Sequence, residues 1–268
     1  MAAPITSPAP RVRARPRLAA PIGRRGLTRL VLAVALVGLW EGGVRAGVVD
    51  PFFFSSPSAI ATTLARQFGS GAMYKHLATT LQEALWGLVL GFVGGAVLAW
   101  LATRSEALAD LVDPLLLLLN SVPRIVLAPI FVLWLGIGIG SKIAVAFFLV
   151  FVVVFFAVAA GIREVDRALI ERVVVLGGST RHLLAEVYVP SVLSWVFASL
   201  RVAVGFAFTG AIVGEFVGAS SGLGYLLNYA QGSQNAALMM ATVVVIMVII
   251  ALLFAVLERL EHRLMAWK

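Results

Sequence analysis

The chain has no cysteine among its 268 residues, which excludes thiol catalysis, disulfides and thiolate-bound metals. Its three histidines, His76, His182 and His262, lie far apart without ligand spacing, so no metal site is expected. Charge is scarce too: 13% of residues are Asp, Glu, Lys or Arg. No Ser/His, paired-Asp or His-x-x-x-His set falls within the apolar runs, so an intramembrane enzyme is not expected. Gly136-Ile-Gly-Ile-Gly-Ser-Lys142 lacks the Gly-Lys-Ser/Thr ending of a phosphate loop and precedes an apolar run, so no nucleotide site or cofactor is expected; it reads as an outer turn.

Apolar side chains make up the balance, at 61% hydrophobic residues with a mean hydropathy of +1.00. No soluble core needs that much, so the chain reads as an all-α polytopic membrane protein. Six spans are expected, at about Leu27–Val49, Leu77–Ala102, Leu115–Gly136, Ile143–Gly161, Pro190–Val213 and Ala236–Leu257. Residues 1–26 form a Pro- and Arg-rich segment that reads as a disordered basic tail at anionic lipid, with residues 27–268 as the membrane domain. In the first span Glu41 and Arg45 are spaced to pair on one helical face. Pro57–Phe68 predicts an amphipathic helix at the outer surface. Gly87, Gly91 and Gly95 recur at every fourth position, as do Gly210, Gly214, Gly218 and Gly222, which predicts close helix packing. Residues 103–113 read as a short inner turn and 216–235 as a re-entrant or surface segment.

The third span is interrupted by Asn120-Ser121-Val122-Pro123-Arg124. A proline removes a backbone hydrogen bond, and a membrane tolerates that only beside protein or water. Asn120, Ser121, Pro123 and Arg124 are therefore pathway candidates, with Arg201, Thr209 and Glu215 of the fifth span.

Residues 164–190 differ from everything around them. Arg163, Glu164, Asp166, Arg167, Glu171, Arg172, Arg181 and Glu186 concentrate charge between two apolar runs. Leu169, Val173 and Leu176 are at helical spacing, Gly177-Gly178-Ser179 should end that helix, and Ser179 or Thr180 should cap a second. The expected form is a helix–turn–helix hairpin at the membrane surface.

Glu171, Gly177 and Val187-Tyr188-Val189-Pro190 have the spacing of the EAA loop of ABC-importer permeases, with Arg172-Val173 in place of Ala-Ala. The resemblance extends to Leu39-Trp40-Glu41, Phe54-Ser-Ser-Pro-Ser-Ala59, Asp113-Pro114, Leu133-Trp134-Leu135-Gly136-Ile-Gly138, Glu215-Phe216 and Ser221-Gly222-Leu223-Gly224-Tyr225. In these stretches the chain resembles the nitrate, sulfonate and taurine permeases. The resemblance implies a type I importer permease fold like that of methionine permeases. It implies two cytoplasmic ABC ATPase subunits, a second permease copy and a soluble or lipid-anchored substrate-binding protein. It also makes the chain a transport subunit of the bacterial inner membrane rather than an enzyme, with Glu171, Leu176, Gly177, Gly178, Leu183, Leu184 and Pro190 coupling it to the ATPase.

Fifteen Lys and Arg residues flank one set of span ends and four the other, which orients both termini and the hairpin to the cytoplasm. That asymmetry explains the net charge of +8 without a nucleic-acid partner. Arg124 and Arg201 suit an anionic solute, although relatives of this kind also move heterocycles. An ion-driven secondary transporter, using Glu83, Glu215, Arg124 and Arg201 as intramembrane relays, is the competing reading.

Overall fold

The computed structural model describes residues 24–264, and every regular element among them is helical. One unit ends at Val49 and contains α1 (Arg24–Arg45), which begins inside the segment expected to be a tail. The expected Glu41–Arg45 pair is formed on it at 2.8 Å. The rest of the expected tail, residues 1–23, lies outside the described residues.

The second unit begins at Asp50. Its elements are α2 (Pro51–Phe54), α3 (Pro57–Gly69), α4 (Ala72–Ala102), α5 (Glu106–Ser121), α6 (Leu127–Leu135) and α7 (Ile139–Arg163). The short α8 (Arg167–Val175) and α9 (Thr180–His182) follow, then α10 (Val189–Val217), α11 (Leu223–Gly232) and α12 (Ala236–Leu264). Among the described residues five helices are long and apolar enough to cross a membrane, on α1, α4, α7, α10 and α12. The remaining expected span is the broken one. It consists of α5, a 3-10 turn at Arg124–Val126 and α6. Val122, held extended at ψ 130° by the proline that follows, makes the break. Pro129 falls in the first turn of α6, where a missing N–H costs nothing.

Several boundaries differ from the sequence expectation. The inner turn expected at 103–113 is only three residues long, because Ser105 caps α5 by accepting from the Leu108 N–H at 3.3 Å. Helix α12 continues to Leu264, past the span end expected at Leu257. Helix α7 begins at Ile139, so Lys142 belongs to its first turn and not to an outer turn.

Helix α7 is the centre of the second unit, packed between α4 and α10. Small residues set its spacing. A Cβ at Gly87 would lie 2.3 Å from the Ala146 Cβ, and one at Gly210 would lie 2.5 Å from the Ala146 Cα. A Cβ at Gly91 would lie 2.7 Å from the Phe147 carbonyl oxygen, and one at Gly95 2.6 Å from that of Phe151. The Gly87/91/95 stripe and the Gly210/214 end of the second stripe are thus used within this chain, both against α7, for close helix packing. Replacing Ala146 with leucine forces a side chain between two helices already in contact. Overpacking of this kind costs roughly 1–3 kcal/mol and occasionally more. The expected result is a large fall in membrane abundance by immunoblot, with Leu85→Ala on the exposed face of α4 as the unaffected control.

Candidate functional site

Two short helices, α8 and α9, and the turn between them occupy the polar stretch. Asp166 caps α8, its carboxylate accepting from the Ala168 N–H at 2.9 Å. The helix ends in a paired closure: the Gly177 N–H donates to the Val174 carbonyl at 3.0 Å and the Gly178 N–H to the Val173 carbonyl at 2.8 Å. These two bonds define the Schellman turn, which places the residue after the cap in the left-handed region. Gly177 is there, at φ +75°, with open space around it. Gly178 has the opposite constraint, since a Cβ on it would lie 2.4 Å from Val173 Cγ1 and 2.8 Å from the Val173 carbonyl. The two adjacent glycines are needed for different reasons.

Ser179 opens α9, and its N–H donates to His182 Nδ1 at 3.3 Å. From Thr180 the chain stays helical into α10, through a π-helical stretch at Leu183–Tyr188. Pro190 sits in the first turn of α10 and has no N–H to return to the preceding turn, and the wider π turn lies immediately before it. The second hairpin helix and the next span are therefore one continuous rod. Val165 and Val187 are buried at the two ends of the hairpin, and Arg163 ties its base to α5 by an ion pair with Asp113 at 2.6 Å.

Glu171 lines an open groove of about 470 Å³ with Ala168, Arg172, Val175 and Leu176. Among the described residues it forms no ion pair with Arg172. Beside it the surface is apolar to an unusual degree for a charged loop, with Val175 84% and Leu176 86% exposed. Leu183 is half-buried, and the side chains of Leu184 and Pro190 lie outside the described residues. Val175 was not singled out from the sequence, although it follows the same apolar run as Leu176.

The candidate pathway residues are not gathered at one place. The Ser121 hydroxyl donates to the Leu117 carbonyl of its own helix at 3.0 Å, and Thr209 does the same to Gly205 at 2.9 Å. Such bonds to the preceding turn satisfy a hydroxyl without water. Asn120 borders a small notch with Phe148 and Val152. Pro123 is exposed at the break, and the Arg124 side chain lies outside the described residues. Arg201, near the middle of α10, is bound to Glu261 of α12 at 3.0 Å, so its charge already has a partner.

Glu215 is the clearest departure from the pathway expectation. It is 1% exposed, and its carboxylate accepts from the Thr80 hydroxyl at 2.6 Å and the Gly224 N–H at 2.7 Å. The Leu223 N–H donates to Thr80 Oγ1 at 2.8 Å and the Gly222 N–H to His76 Nδ1 at 3.1 Å. The N-terminus of α11 is thus capped from α4 and α10 rather than by its own chain neighbours, with a carboxylate at its positive end. Gly222, at φ +115°, leaves no room for a Cβ against the Glu215 carboxylate. Lys142 is 1% exposed against the same cluster, and its ammonium donates to the carbonyls of Ile137 at 2.6 Å and Gly138 at 3.1 Å. Neither Lys142 nor Thr80 was legible as part of a site.

The family model described as "Binding-protein-dependent transport system inner membrane component" matches residues 87–266. The chain is 30% identical over 265 residues to the riboflavin transport system permease protein RibX of Chloroflexus aurantiacus, covering 99% of this chain and 97% of that protein. It is 28% identical over 239 residues to the putative aliphatic sulfonates transport permease protein SsuC of Bacillus subtilis, covering 89% and 87%. In fold it is similar to a chain of the inward-facing MetNI methionine ABC transporter, with a TM-score of 0.58 at 20% identity over 71% of this chain and 93% of that one.

Proposed function

The chain belongs to the family of binding-protein-dependent transport system inner membrane components, and from that membership we propose that it works as half of an ATP-driven import pathway. Two copies form the pathway, and each presents its 164–190 hairpin to one of two cytoplasmic ABC ATPase subunits. A soluble or lipid-anchored binding protein delivers the solute, and both termini face the cytoplasm. The chain itself is a transport component of the inner membrane and not an enzyme. The observation that carries the docking reading is the hairpin surface, where Glu171 stands beside exposed Val175 and Leu176. Apolar side chains at that exposure on a charged loop mark a protein contact. Closure of the ATPase pair would draw the two hairpins together and rock the spans between inward- and outward-open states.

The solute in this reading is small and is either an anion of the sulfonate or nitrate kind or a planar heterocycle. The first follows the similarity to SsuC, and the second the full-length similarity to RibX. The Arg201–Glu261 pair removes one of the two cations on which an anion preference rested, which favours the heterocycle. Titrating the partner binding protein with riboflavin and with taurine separates them.

The deciding experiment for ATP coupling withdraws ATP while ion gradients are held. Uptake should stop; uptake that continues returns the secondary-transporter reading to first place. A purified complex whose mass contains one permease per two ATPases would refute the homodimer. For the pathway itself, cysteines at Asn120, Ser121 and Thr209 should react with a membrane-impermeant thiol reagent from at least one side, since the chain has no cysteine of its own. All three positions remaining unlabelled would remove them from the pathway.

A further inference from the structure

The cluster joining α4, α7, α10 and α11 holds three ionisable groups, Glu83, Lys142 and Glu215, each at most 2% exposed. Glu83 and Glu215 are neighbours in this cluster, close enough for each carboxyl to feel the other and the Lys142 ammonium. Ionised carboxylates accept only, so two neighbouring carboxyls can hydrogen-bond to each other only when one of them holds a proton. Glu215 already accepts from Thr80 and Gly224 on its two oxygens, the pattern of a carboxylate. Glu83 presents the opposite pattern: its Oε2 is buried without any partner. A lone oxygen of a neutral acid is far less costly to bury than one carrying charge. An added cation is not needed to balance the pair, because the Lys142 ammonium, tethered to the Ile137 and Gly138 carbonyls, already provides one. His76, the remaining titratable side chain bonded into the junction, uses Nδ1 to accept from Gly222.

We propose that Glu83 carries a permanently bound proton, which it donates to Glu215, so that with Lys142 the buried junction is electrically neutral and fastens α11 to the helices beneath it. The site is a proton-binding site of structural purpose. Its proton does not move during transport, which separates it from the relay that an ion-driven carrier would need. The proposal is independent of the ATPase docking described above.

Two measurements on the full-length chain in lipid test it. Infrared spectra at neutral pH should show the carbonyl stretch of a protonated carboxylic acid that resists exchange in deuterium oxide. That band should be lost in Glu83→Gln. Its absence from the unsubstituted chain, or its persistence in Glu83→Gln, overturns the proposal. The second measurement uses Leu226→Cys as a reporter, since Leu226 is buried where α11 packs on Met73 and Val245. Reaction with an impermeant maleimide should be equally slow in the reporter alone and with Glu83→Gln, whose amide N–H replaces the acid O–H. It should be several-fold faster with Glu83→Ala. Glu83→Gln as reactive as Glu83→Ala, or too unstable to recover from the membrane, also overturns it.

Discussion

Replacing Gly178 with valine is expected to abolish ATP-driven uptake while leaving the chain in the membrane at normal abundance. The substitution touches no span. It places a Cβ where Val173 Cγ1 and the Val173 carbonyl already stand, at 2.4 and 2.8 Å. A methyl group can rotate away, but the carbonyl is part of α8 and also accepts the Gly178 N–H. The turn must open, and α8 then loses its angle to the rod that continues into α10. Gly177 predicts a smaller effect for a different reason. Its surroundings are empty, so a side chain there meets only the left-handed backbone penalty of about 1–2 kcal/mol. The expected order of damage to uptake and to ATPase stimulation is Gly178→Val, then Gly178→Ala, then Gly177→Ala, with membrane abundance constant. Glu171→Lys should also uncouple, by reversing the charge in the groove. Normal uptake with Gly178→Val would show that the hairpin angle does not transmit the ATPase stroke.

The hairpin was legible in the sequence because its determinants are local. A charged stretch, Gly-Gly-Ser after an apolar helical face, and Pro190 all lie within thirty residues, and each acts on its own neighbours. The break at Pro123 and the surface helix α3 were legible for the same reason. The α11 junction was not, because its charges come from three distant helices and no spacing rule connects Glu83, Lys142 and Glu215. Lys142 was hidden further by glycines at 136, 138 and 140, which read as a turn. In the fold only Gly136 turns, at φ +77°, and the other two lie at the start of α7. The partner of Arg201 was hidden by a boundary. With the span ended at Leu257, Glu261 fell outside it and could not be that partner, whereas about one further turn of helix brings the pair to 3.0 Å. Ser121 and Thr209 show a limit of another kind. A hydroxyl in an apolar span signals water only if its own helix does not accept it, and here the carbonyl four residues back does.

Glu215→Ala should be the most damaging single change within the spans. It removes the acceptor of the Thr80 hydroxyl and the Gly224 N–H together, and it leaves the Lys142 ammonium with one neutral acid nearby. The Thr80 hydroxyl keeps the His76 carbonyl at 3.2 Å, but a buried donor left unpaired, as the Gly224 N–H would be, costs roughly 1–3 kcal/mol. The buried Lys142 ammonium also loses the ionised carboxylate that balances its charge. Such a loss should release α11, which has few other polar ties, and reduce the folded chain in the membrane severely. Lys142→Met should be nearly as harmful, since it leaves the Glu215 carboxylate buried without its cation. The informative variant is the double substitution Lys142→Met with Glu215→Gln, which removes both charges and keeps a carbonyl acceptor for one of the two donors. Groups in one network deviate from additivity by about 0.5–3 kcal/mol, so the double variant should be more stable than the sum of its parts and more abundant than Lys142→Met alone. Thermal unfolding of the purified chain in lipid, read for the two single variants and the double, measures that coupling directly. Strict additivity, or a Glu215→Ala protein with the thermal midpoint of the unsubstituted chain, would mean that α11 is held by its apolar face on Met73 and Val245 and that the charges beneath it are passengers.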